Sequence, residues 1–588
     1  MLRWFSRCLP GFSIIALLLL LLLTFTDAAS LSPWKDFFPP STDKPSGDKP
    51  SPINIGQKIF MIYTILIHIN GFGFTVRLSW SLFNVTKETK LALKRRIWQT
   101  SRTPSEADGG DYVDSPSTPT QKFPDPAVFK MPYSSVDSID ELEEVVHAII
   151  LPNYGEDIGT LKTTLDVLAS HPRASTQYEI YLAMEQKESG AAEKAAKLIL
   201  AFEKSFLQIR STFHPANLQG EIAGKSSNVA FAARHIVEVH RADLNTGACN
   251  VIITVIDADT HLWQDYFTEI RRLHYIHTTE ADRTVYCCPI IFDRNSNESP
   301  ILVRCADLLW GFAGLSTMYP GAPISIPTSV YSLPLSLAEK VGGWDSDPTA
   351  IGEDMHMLLK CYFETAGNVV SRNIFIPASQ CNVSSDTGQG WRRTLDTCFA
   401  RYRQALRHMW GALDSGFAAR RTMSYLRLHS RCLFLRPRHF ALLHLMWEAH
   451  FLPCHLMILM VFSLIYSLMT PPELLHPSMT WTFWFTGLLR TSSFIWMNVC
   501  LALYERWYTV CLQSRRKDML QANLTDTGFS QRTWWHTTHL LERICFPIAG
   551  TIFGGIPTIH AVFSHFWTDR LVYRVSKKPD FAMVGSMA

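Results

Sequence analysis

Two aspartates separated by one residue follow an apolar run, and their spacing suits a divalent cation. Asp257 and Asp259 flank Ala258 just past a stretch, 251–256, that predicts a buried strand. Mg²⁺ and Mn²⁺ prefer carboxylate oxygens and usually keep substrate phosphates as further ligands. A capping Asp would also explain the pattern, because Thr260 and a helical stretch follow. The motif therefore leaves a metal site and a helix cap as alternatives.

Two further motifs place charged side chains at the start of predicted helices. Glu353 and Asp354 precede a helix predicted over 355–363. A carboxylate in a cleft can deprotonate an acceptor hydroxyl, although acids are also stabilised at a helix start by its dipole. Lys225 opens a helix after Gly224, and a helix start with a lysine suits a diphosphate.

The ends of the first two predicted strands and a later helix add binding candidates. Tyr154 is placed to stack on a base and Glu156 to bond a ribose or base edge, while Glu185 ends the second strand. Gln404, Arg407 and Trp410 lie at one-turn intervals on a predicted helix, where an Arg can pair with phosphate and a Trp can frame a sugar. A basic helix on a membrane surface is the alternative, because arginines without acids continue to residue 438.

Strands alternate with helices from residue 145 onward, which predicts an α/β domain with a mostly parallel sheet. The strands are predicted over 145–151, 178–184 and 251–256, and the helices over 158–168, 191–206, 228–239 and 266–275. In such sheets ligands bind at the carboxyl ends of the strands. The candidate residues above therefore belong at one edge of the sheet.

Long apolar runs on both sides of this domain predict membrane helices. They cover 14–25, 59–76, 451–469, 479–503 and 544–563, and the first is either an anchor or a cleaved signal. Basic residues after the second run predict that residues 84–438 face the cytosol. Three later crossings would leave the basic tail outside, so the last run is re-entrant or 440–447 adds a helix.

The composition excludes some classes of protein. The 588 residues carry a formal net charge of +3, too small to indicate a nucleic-acid-binding protein. The 13 cysteines lack zinc-site spacing and read as buried thiols, which suits a reducing, cytosolic compartment.

The order of these motifs resembles membrane-bound family-2 glycosyltransferases, such as cellulose, chitin and hyaluronan synthases and above all their fungal relatives. The resemblance implies a GT-A nucleotide-sugar domain flanked by N- and C-terminal transmembrane helices. It also implies an inverting transfer from a nucleotide sugar, a UDP-sugar in particular, to a growing polysaccharide of the cell wall or cell surface. The location would be the plasma membrane rather than the Golgi or ER, with membrane lipids around the helices.

The resemblance also assigns roles to residues. Tyr154, Glu156, Glu185, Lys225 and Asp257 would bind the nucleotide sugar, and Asp257 and Asp259 would hold Mn²⁺ or Mg²⁺. Asp354 would be the general base, and Gln404, Arg407 and Trp410 would lie near diphosphate and acceptor. Two departures matter: Glu185 stands where the family usually has Asp, and His408 follows Arg407 where the family has Trp.

Two other functions remain open: a glycolipid synthase that adds one sugar to a ceramide-like lipid, and a catalytically inactive membrane scaffold. The expected organisation divides the chain into eight parts. They are an anchor or signal at 1–30, an extracytosolic linker at 31–57, a transmembrane helix at 58–83, a cytosolic linker at 84–140, the GT-A domain at 141–415, basic interfacial helices at 416–438, a transmembrane bundle at 439–570 and a tail at 571–588.

Overall fold

The computed structural model describes residues 2–25, 53–100, 145–221, 224–246, 250–385, 389–428, 436–470, 475–524 and 537–571. Most of both expected linkers, the expected cleavage site near residue 27 and the lysines of the tail lie outside these ranges.

Helices at both ends of the chain enclose an α/β region. The N-terminal helices are α1 (Leu2–Arg7), α2 (Leu9–Phe25) and α3 (Ile55–Thr100). The α/β region contains β1 (Val146–Asn153), α4 (Ile158–Ala169), α5 (Ala174–Gln177), β2 (Tyr178–Glu185), α6 (Ala191–Phe202), β3 (Gln208–His214), α7 (Lys225–Val239), α8 (Arg241–Thr246), β4 (Val251–Val255), α9 (Gln264–Ile276), α10 (Thr278–Ala281), β5 (Thr284–Cys287), β6 (Ile290–Phe292), α11 (Ile301–Leu315), β7 (Tyr331–Pro334), α12 (Leu335–Lys340), α13 (Glu353–Glu364), β8 (Val370–Asn373), β9 (Ala378–Gln380) and α14 (Trp391–Met409).

A 3₁₀ turn, Trp410–Ala412, leads into the C-terminal helices. These are α15 (Leu413–Leu428), α16 (Pro437–His450), α17 (Leu452–Met469), α18 (Pro477–Gln521), α19 (Thr537–Gly550) and α20 (Ile556–Ser564), with a π-helical turn, Thr551–Gly555, between the last two.

The main sheet has seven strands in the order β3-β2-β1-β4-β7-β5-β8. Strands β3, β2, β1 and β4 are parallel, β7 is antiparallel to both neighbours, and β5 pairs with β8 in parallel. The expectation of a mostly parallel α/β sheet is confirmed, and the antiparallel β7 makes the sheet mixed. Strands β6 and β9 form a separate parallel pair.

Both faces of the sheet are covered, which explains the continuous apolar runs in its strands. On β1, Ile149 and Leu151 pack into one buried cluster, while Ala148 and Ile150 pack into another on the opposite face. Successive side chains of a strand point to opposite faces, so an apolar residue at every position requires cover on both sides.

Helix α3 is longer than the transmembrane helix expected at 58–83, because it continues through residues 84–100 of the expected linker. These residues stay helical where they pack on the α/β region: Thr89 donates to the Phe375 carbonyl at 2.7 Å and Arg95 pairs with Glu269 at 3.2 Å. The beginning of the expected linker is therefore a docked helix.

Within the described ranges, three helical segments are long and apolar enough to cross a membrane: Ile55–Arg95, Leu452–Met469 and His539–Ser564, with Leu9–Thr24 a shorter apolar helix. The run 479–503, expected as a crossing, lies in α18 but is not one of the three. It runs alongside α3 in the same direction, since Phe483 packs near Phe60 and Trp507 donates to Thr89.

The last apolar segment has both of its ends against the α/β region. At its start, Arg304 of α11 pairs with Glu542 at 2.6 Å, and at its end Tyr402 of α14 bonds His560 at 3.3 Å. The N-terminal helix α1 contacts the residues that follow this segment, because Trp4 donates to the Phe566 carbonyl at 3.1 Å.

Candidate active site

One cavity of about 1350 Å³ opens at the carboxyl ends of β1, β2 and β4. Parallel strands that end at one edge bring side chains from distant parts of the chain together. Nine of the ten predicted site residues line it: Tyr154, Glu156, Glu185, Lys225, Asp257, Asp259, Asp354, Gln404 and Arg407. The tenth, Trp410, lies elsewhere.

Lys225, the first residue of α7, bridges two carboxylates from different elements. Its Nζ lies 2.7 Å from Asp257 Oδ1 and 3.2 Å from Glu353 Oε2. Burial opposes its charge, but Asp257, Glu353 and Asp354 outweigh that effect and raise the pKa of Lys225. The ammonium therefore stays protonated and faces the cavity as a fixed positive charge.

Asp259 is more enclosed than Asp257. It is 6% exposed, and its Oδ2 accepts a hydrogen bond from the Cys381 amide at 3.1 Å. Asp257 Oδ2 accepts from Gln380 Nε2 at 3.3 Å, so β9 and the residue after it orient both aspartates. The sequence pattern did not indicate that these two residues, far along the chain, would hold the carboxylates.

The two aspartates fit a divalent cation only as part of its ligand set. Among the described residues, no three His, Cys, Asp or Glu side chains are grouped closely enough to hold a metal. Two carboxylates with the remaining ligands from a diphosphate and water are the usual arrangement for Mg²⁺. The donor set therefore suits a cation that arrives with a nucleotide and not a permanent, all-protein site.

Asp354 is oriented by two backbone donors. Its Oδ2 accepts from the Ser329 amide at 2.5 Å and its Oδ1 from the Met355 amide at 2.8 Å. Ser329 has a φ of 61°, a left-handed conformation that is uncommon for a residue other than glycine. That conformation belongs to the segment that brings the amide to Asp354, and each carboxylate oxygen still has a lone pair available.

The neighbouring Glu353 has a different environment. It is 4% exposed, accepts from the Tyr331 hydroxyl and lies 3.2 Å from Trp344 Nε1. Burial raises the pKa of Glu353. The two adjacent acids thus differ in their donors: a side-chain hydroxyl donates to Glu353, whereas backbone amides donate to Asp354.

A buried charge cluster ties the helix that carries Asp354 to α15. His356 bonds Asp414 of α15 at 2.5 Å and Asp345 at 3.0 Å, and Lys360 pairs with Asp345 at 2.6 Å. Burial alone would lower the pKa of His356, but Asp414 and Asp345 raise it to about 9. The imidazole is therefore a cation at neutral pH.

The part of the cavity lined by Glu156 and Glu185 is also built from hydrogen-bonded acids. Glu156 accepts from the Tyr154 amide at 2.6 Å, and burial raises the pKa of Glu156 to about 7. Glu185, which replaces the expected Asp, is 2% exposed and bonds His214 at 3.1 Å. His214 in turn bonds Glu221 at 2.9 Å, so Glu185 is oriented by a neighbour on β3.

Helix α14 presents Gln404 and Arg407 to the cavity but not Trp410. The helix ends at Met409, and Trp410 starts the 3₁₀ turn. Each three-residue step along an α-helix stops about 60° short of a full turn, so Trp410 points about 120° away from Gln404. Trp410 packs edge-on to His565 with ring centroids 4.9 Å apart, in a buried cluster with Leu413 and Ala561. The expectation that it lies near the acceptor is not met by this placement.

An aromatic pair missed from the sequence takes a place in the cavity wall. His408, which follows Arg407 where the family has Trp, stacks on Trp310 of α11 at 4.1 Å, and both line the cavity. Next to them, Arg401 and Asp307 form a buried ion pair at 3.0 Å. The sequence offered two signals for this pair. One was the unexpected His408, and the other was Trp310 inside an apolar helix, a position that usually indicates a core residue.

Helix α18 reaches from the outer helices to the loop behind the two aspartates. Arg515, near its end, is fully buried and bonds His261 at 2.6 Å and Asp293 at 3.4 Å. His261 follows Asp259 by two residues, so the base of this loop is attached to a helix of 45 residues.

Comparison with known proteins gives one sequence match and several distant structural ones. Residues 252–508 match the model of a family described as glycosyl transferase family group 2. The mannosyltransferase PcManGT from Pyrobaculum calidifontis, solved with GDP-Man and Mn²⁺, is 14% identical with a TM-score of 0.40, over 79% of this chain and 97% of its own. TarS from S. aureus is 10% identical with a TM-score of 0.24, over 62% of this chain and 55% of its own.

No curated protein sequence matches the chain. At these identities and TM-scores, neither structural neighbour bears on the substrate. The sheet order, the carboxylates at its edge and the sequence match agree with one another. Residues 252–508 are therefore similar to glycosyl transferase family group 2, in a chain whose α/β region is built on a mostly parallel, mixed sheet.

Proposed function

We propose that the protein is a membrane-embedded, inverting glycosyltransferase that uses a nucleotide sugar, a UDP-sugar in particular, and Mn²⁺ or Mg²⁺. One observation carries this proposal: three kinds of group line the same cavity. They are a candidate base, two candidate cation ligands and two cations, namely Asp354, Asp257 and Asp259, and Lys225 and Arg407. A binding module or an inactive scaffold has no need of a carboxylate base beside a diphosphate site.

In the proposed reaction Asp354 takes the proton of the acceptor hydroxyl while its oxygen attacks the anomeric carbon. The bond from that carbon to the nucleotide diphosphate breaks, and Lys225 and Arg407 offset the charge that develops on the diphosphate. Asp257 and Asp259 would hold the divalent cation, which supplies further charge neutralisation when bound. One displacement without a second nucleophile inverts the anomeric configuration.

Recognition of the nucleotide is proposed for the other end of the cavity. Tyr154 would stack on the base, with Glu156 and Glu185 near the ribose or base edge. Gln404 would lie between diphosphate and acceptor. We assign Trp410 to packing of the helices and give its acceptor-side place to the stacked Trp310 and His408, which line the cavity.

We also propose a membrane topology in which α2, α3, α17 and α18 cross and residues 84–438 face the cytosol. The contacts at both ends of 537–564 with the α/β region support a re-entrant or interfacial position for this segment, which leaves the basic tail inside. Contacts of α1 with Phe566 and of Ser6 with Arg420 support an uncleaved anchor. The plasma membrane location and a role in cell wall or surface glycan rest on the resemblance alone.

The test is turnover of a panel of UDP-sugars by the purified chain in detergent, with Mn²⁺, Mg²⁺ or chelator. We expect transfer with a divalent cation and none with chelator, and we expect Asp259→Ala to abolish that metal dependence while the protein still folds. Asp282→Ala, an exposed acid outside the cavity, is the control. If no nucleotide sugar is bound or consumed under any condition, the proposed function is wrong.

A further inference from the structure

The cavity does not end at the sheet. It continues into the space between α3, α17, α18 and the segment formed by α19 and the π-helical turn after it, where its lining changes from charged to apolar. The wall there is made largely of aliphatic, thioether and phenyl groups, among them Leu456, Met457, Met460, Val461, Phe494 and Met497. At about 1350 Å³, the whole space exceeds the roughly 300–1,000 Å³ of most small-ligand sites, so a bound nucleotide sugar would leave much of it unfilled.

The deep end of this space is closed in the described part of the chain. Further out on the same helices, Phe60, Phe462, Tyr466 and Phe483 pack in one buried cluster, and none of the four lines the cavity. The ring centroids of Phe60 and Phe462 lie 5.1 Å apart, and those of Tyr466 and Phe483 lie 5.8 Å apart. The space is a pocket in this structure and not a passage.

The chemistry of the apolar half fits a hydrocarbon and not a glycan. Every sugar ring carries hydroxyls around its edge, and each hydroxyl buried without a partner costs free energy. Methionine and leucine side chains supply no strong donors or acceptors, but they adapt well to a flexible alkyl chain. Arg490 and His68 bond each other at 3.3 Å at the deep end. The hydroxyls of Thr75, Thr491 and Ser493 also line the cavity, but each donates to a carbonyl of its own helix.

We propose that the apolar half of the cavity holds the hydrocarbon chain of a lipid acceptor whose head-group hydroxyl reaches Asp354. This inference rests on the proposed function and names its acceptor class. A hydroxyl head group is chosen over a phosphate because a hydroxyl must lose a proton to attack, and Asp354 is placed to take it. We choose a lipid because the apolar half of the cavity is continuous with the site around Asp354, is closed at its deep end and is lined mainly by apolar side chains.

In the proposed transfer, the acceptor, the donor and Asp354 account for every bond and for the proton. The acceptor oxygen forms a bond to the anomeric carbon as the bond from that carbon to the nucleotide diphosphate breaks, and the proton moves to Asp354. The product is a lipid glycoside, and the nucleotide diphosphate leaves with its electron pair. The stacked Trp310 and His408 lie in the cavity wall and give the transferred sugar an aromatic surface.

Two glycines of α3 allow a matched test. Gly71 lines the cavity, and a Cβ there would meet only the Leu456 Cδ2 methyl carbon, at 3.8 Å. Gly73 lies two residues further on, is exposed, and a Cβ there would meet nothing within 4 Å. Gly71→Leu therefore fills the pocket, while Gly73→Leu makes the same chemical change on the same helix outside it.

The experiment uses the full-length protein in nanodiscs with radiolabelled UDP-sugars and primary alcohols of short, medium and long chain, together with a ceramide. We expect label in the organic phase, with kcat/KM rising with chain length. Gly71→Leu should lower kcat/KM for the long alcohols roughly tenfold, the usual scale of an overpacked site, and leave donor hydrolysis unchanged. Gly73→Leu should resemble the wild type. Gly554→Leu, another cavity glycine with nothing within 4 Å, replaces Gly71→Leu if that variant does not fold.

Three results would count against the proposal. Label in a water-soluble or insoluble glycan, with both filling variants as active as the wild type, overturns the lipid acceptor while the proposed glycosyltransferase stands. A photoreactive long-chain alcohol that fails to crosslink residues 456–461 of the wild-type protein overturns it as well. Absence of any nucleotide-sugar consumption overturns the proposed function and this inference together.

Discussion

The two halves of the cavity are built on different principles. At the sheet edge, charged groups are oriented by specific partners, as Lys225 is by Asp257 and Glu353, and Asp354 by two backbone amides. Between the helices the wall is largely apolar, and the charged group there, Arg490, bonds His68. Preorganised donors and charges act at a fixed position, whereas apolar surfaces act through shape and volume. Replacing a few atoms of one side chain should therefore abolish the function of the sheet-edge half. In the apolar half, only a substitution that changes the volume of the pocket should impair binding.

The largest effect is expected from Asp354→Asn, which tests the sheet-edge half alone. Asn keeps the size of Asp354 and part of its hydrogen bonding but cannot accept a proton at neutral pH. Transfer should fall about 10²–10⁴-fold, the usual cost of removing a general base, with nucleotide-sugar affinity nearly unchanged. Turnover, donor affinity and thermal midpoint are measured on the same preparation.

Asp157→Asn is the matched control for that measurement. Asp157 also precedes a helix and caps it by accepting from the Gly159 amide at 2.6 Å, but it does not line the cavity. Replacing a capping acid by Ala costs roughly 0.5–2 kcal/mol of stability, but Asn caps about as well as Asp. Near wild-type turnover and thermal midpoint of Asp354→Asn, as expected for Asp157→Asn, would make Asp354 a cap, and Glu353 would be the next base candidate.

A pH dependence of stability is expected from the charge cluster that supports only the sheet-edge half. The pKa of His356 is about 9 in the folded protein against an ordinary value of 6.5, so the folded state binds the proton more tightly. The stabilisation is complete below about pH 6.5 and is lost as pH rises through 9, with a total on the order of 3 kcal/mol at most. The thermal midpoint should fall over that interval in wild type and should fall less in His356→Gln. A midpoint that rises toward pH 9 in the wild type would contradict this account.

The smallest effect is expected from Trp410→Phe, which tests whether this residue belongs to either half. Because Trp410 packs on His565 outside the cavity, its truncation should cost about 1 kcal/mol of stability and leave KM for donor and acceptor unchanged. Arg407→Leu, one turn earlier and in the cavity wall, should instead reduce turnover with little change in the midpoint. A raised acceptor KM in Trp410→Phe would return this residue to the acceptor site.

The sequence allowed more to be predicted at the sheet edge than between the helices. Strand ends and helix starts recur at fixed places in an α/β fold, so short motifs such as Asp257-Ala258-Asp259 could be assigned to one edge. The partners of those residues could not be predicted, since Gln380 and Ser329 come from segments without a recognisable pattern. Trp410 was assigned to the helix face of Gln404, although two three-residue steps turn its side chain about 120° from that residue, and it does not line the cavity.

The helices could be found by composition, but their mutual arrangement could not. Apolar runs show that a segment avoids water without showing which part of the protein its two ends contact, and both ends of 537–564 contact the α/β region. The apolar half of the cavity has no motif at all. It results from gaps left between Met and Leu side chains and the backbone of glycines on neighbouring helices, and such gaps follow from packing and not from residue order.

The attachment of Arg515 to His261 and Asp293 limits how the length of α18 can vary in related chains. One residue inserted between Arg490 and Arg515 would turn everything beyond it by about 100° and shift it by about 1.5 Å. Arg515 would then face away from the loop behind Asp259 while Arg490 kept its place beside His68. An insertion of about seven residues would nearly restore the phase but would move Arg515 about 10 Å along the axis, so both contacts could not be kept. Gaps of any length between Arg490 and Arg515 should therefore be absent when homologous sequences are aligned.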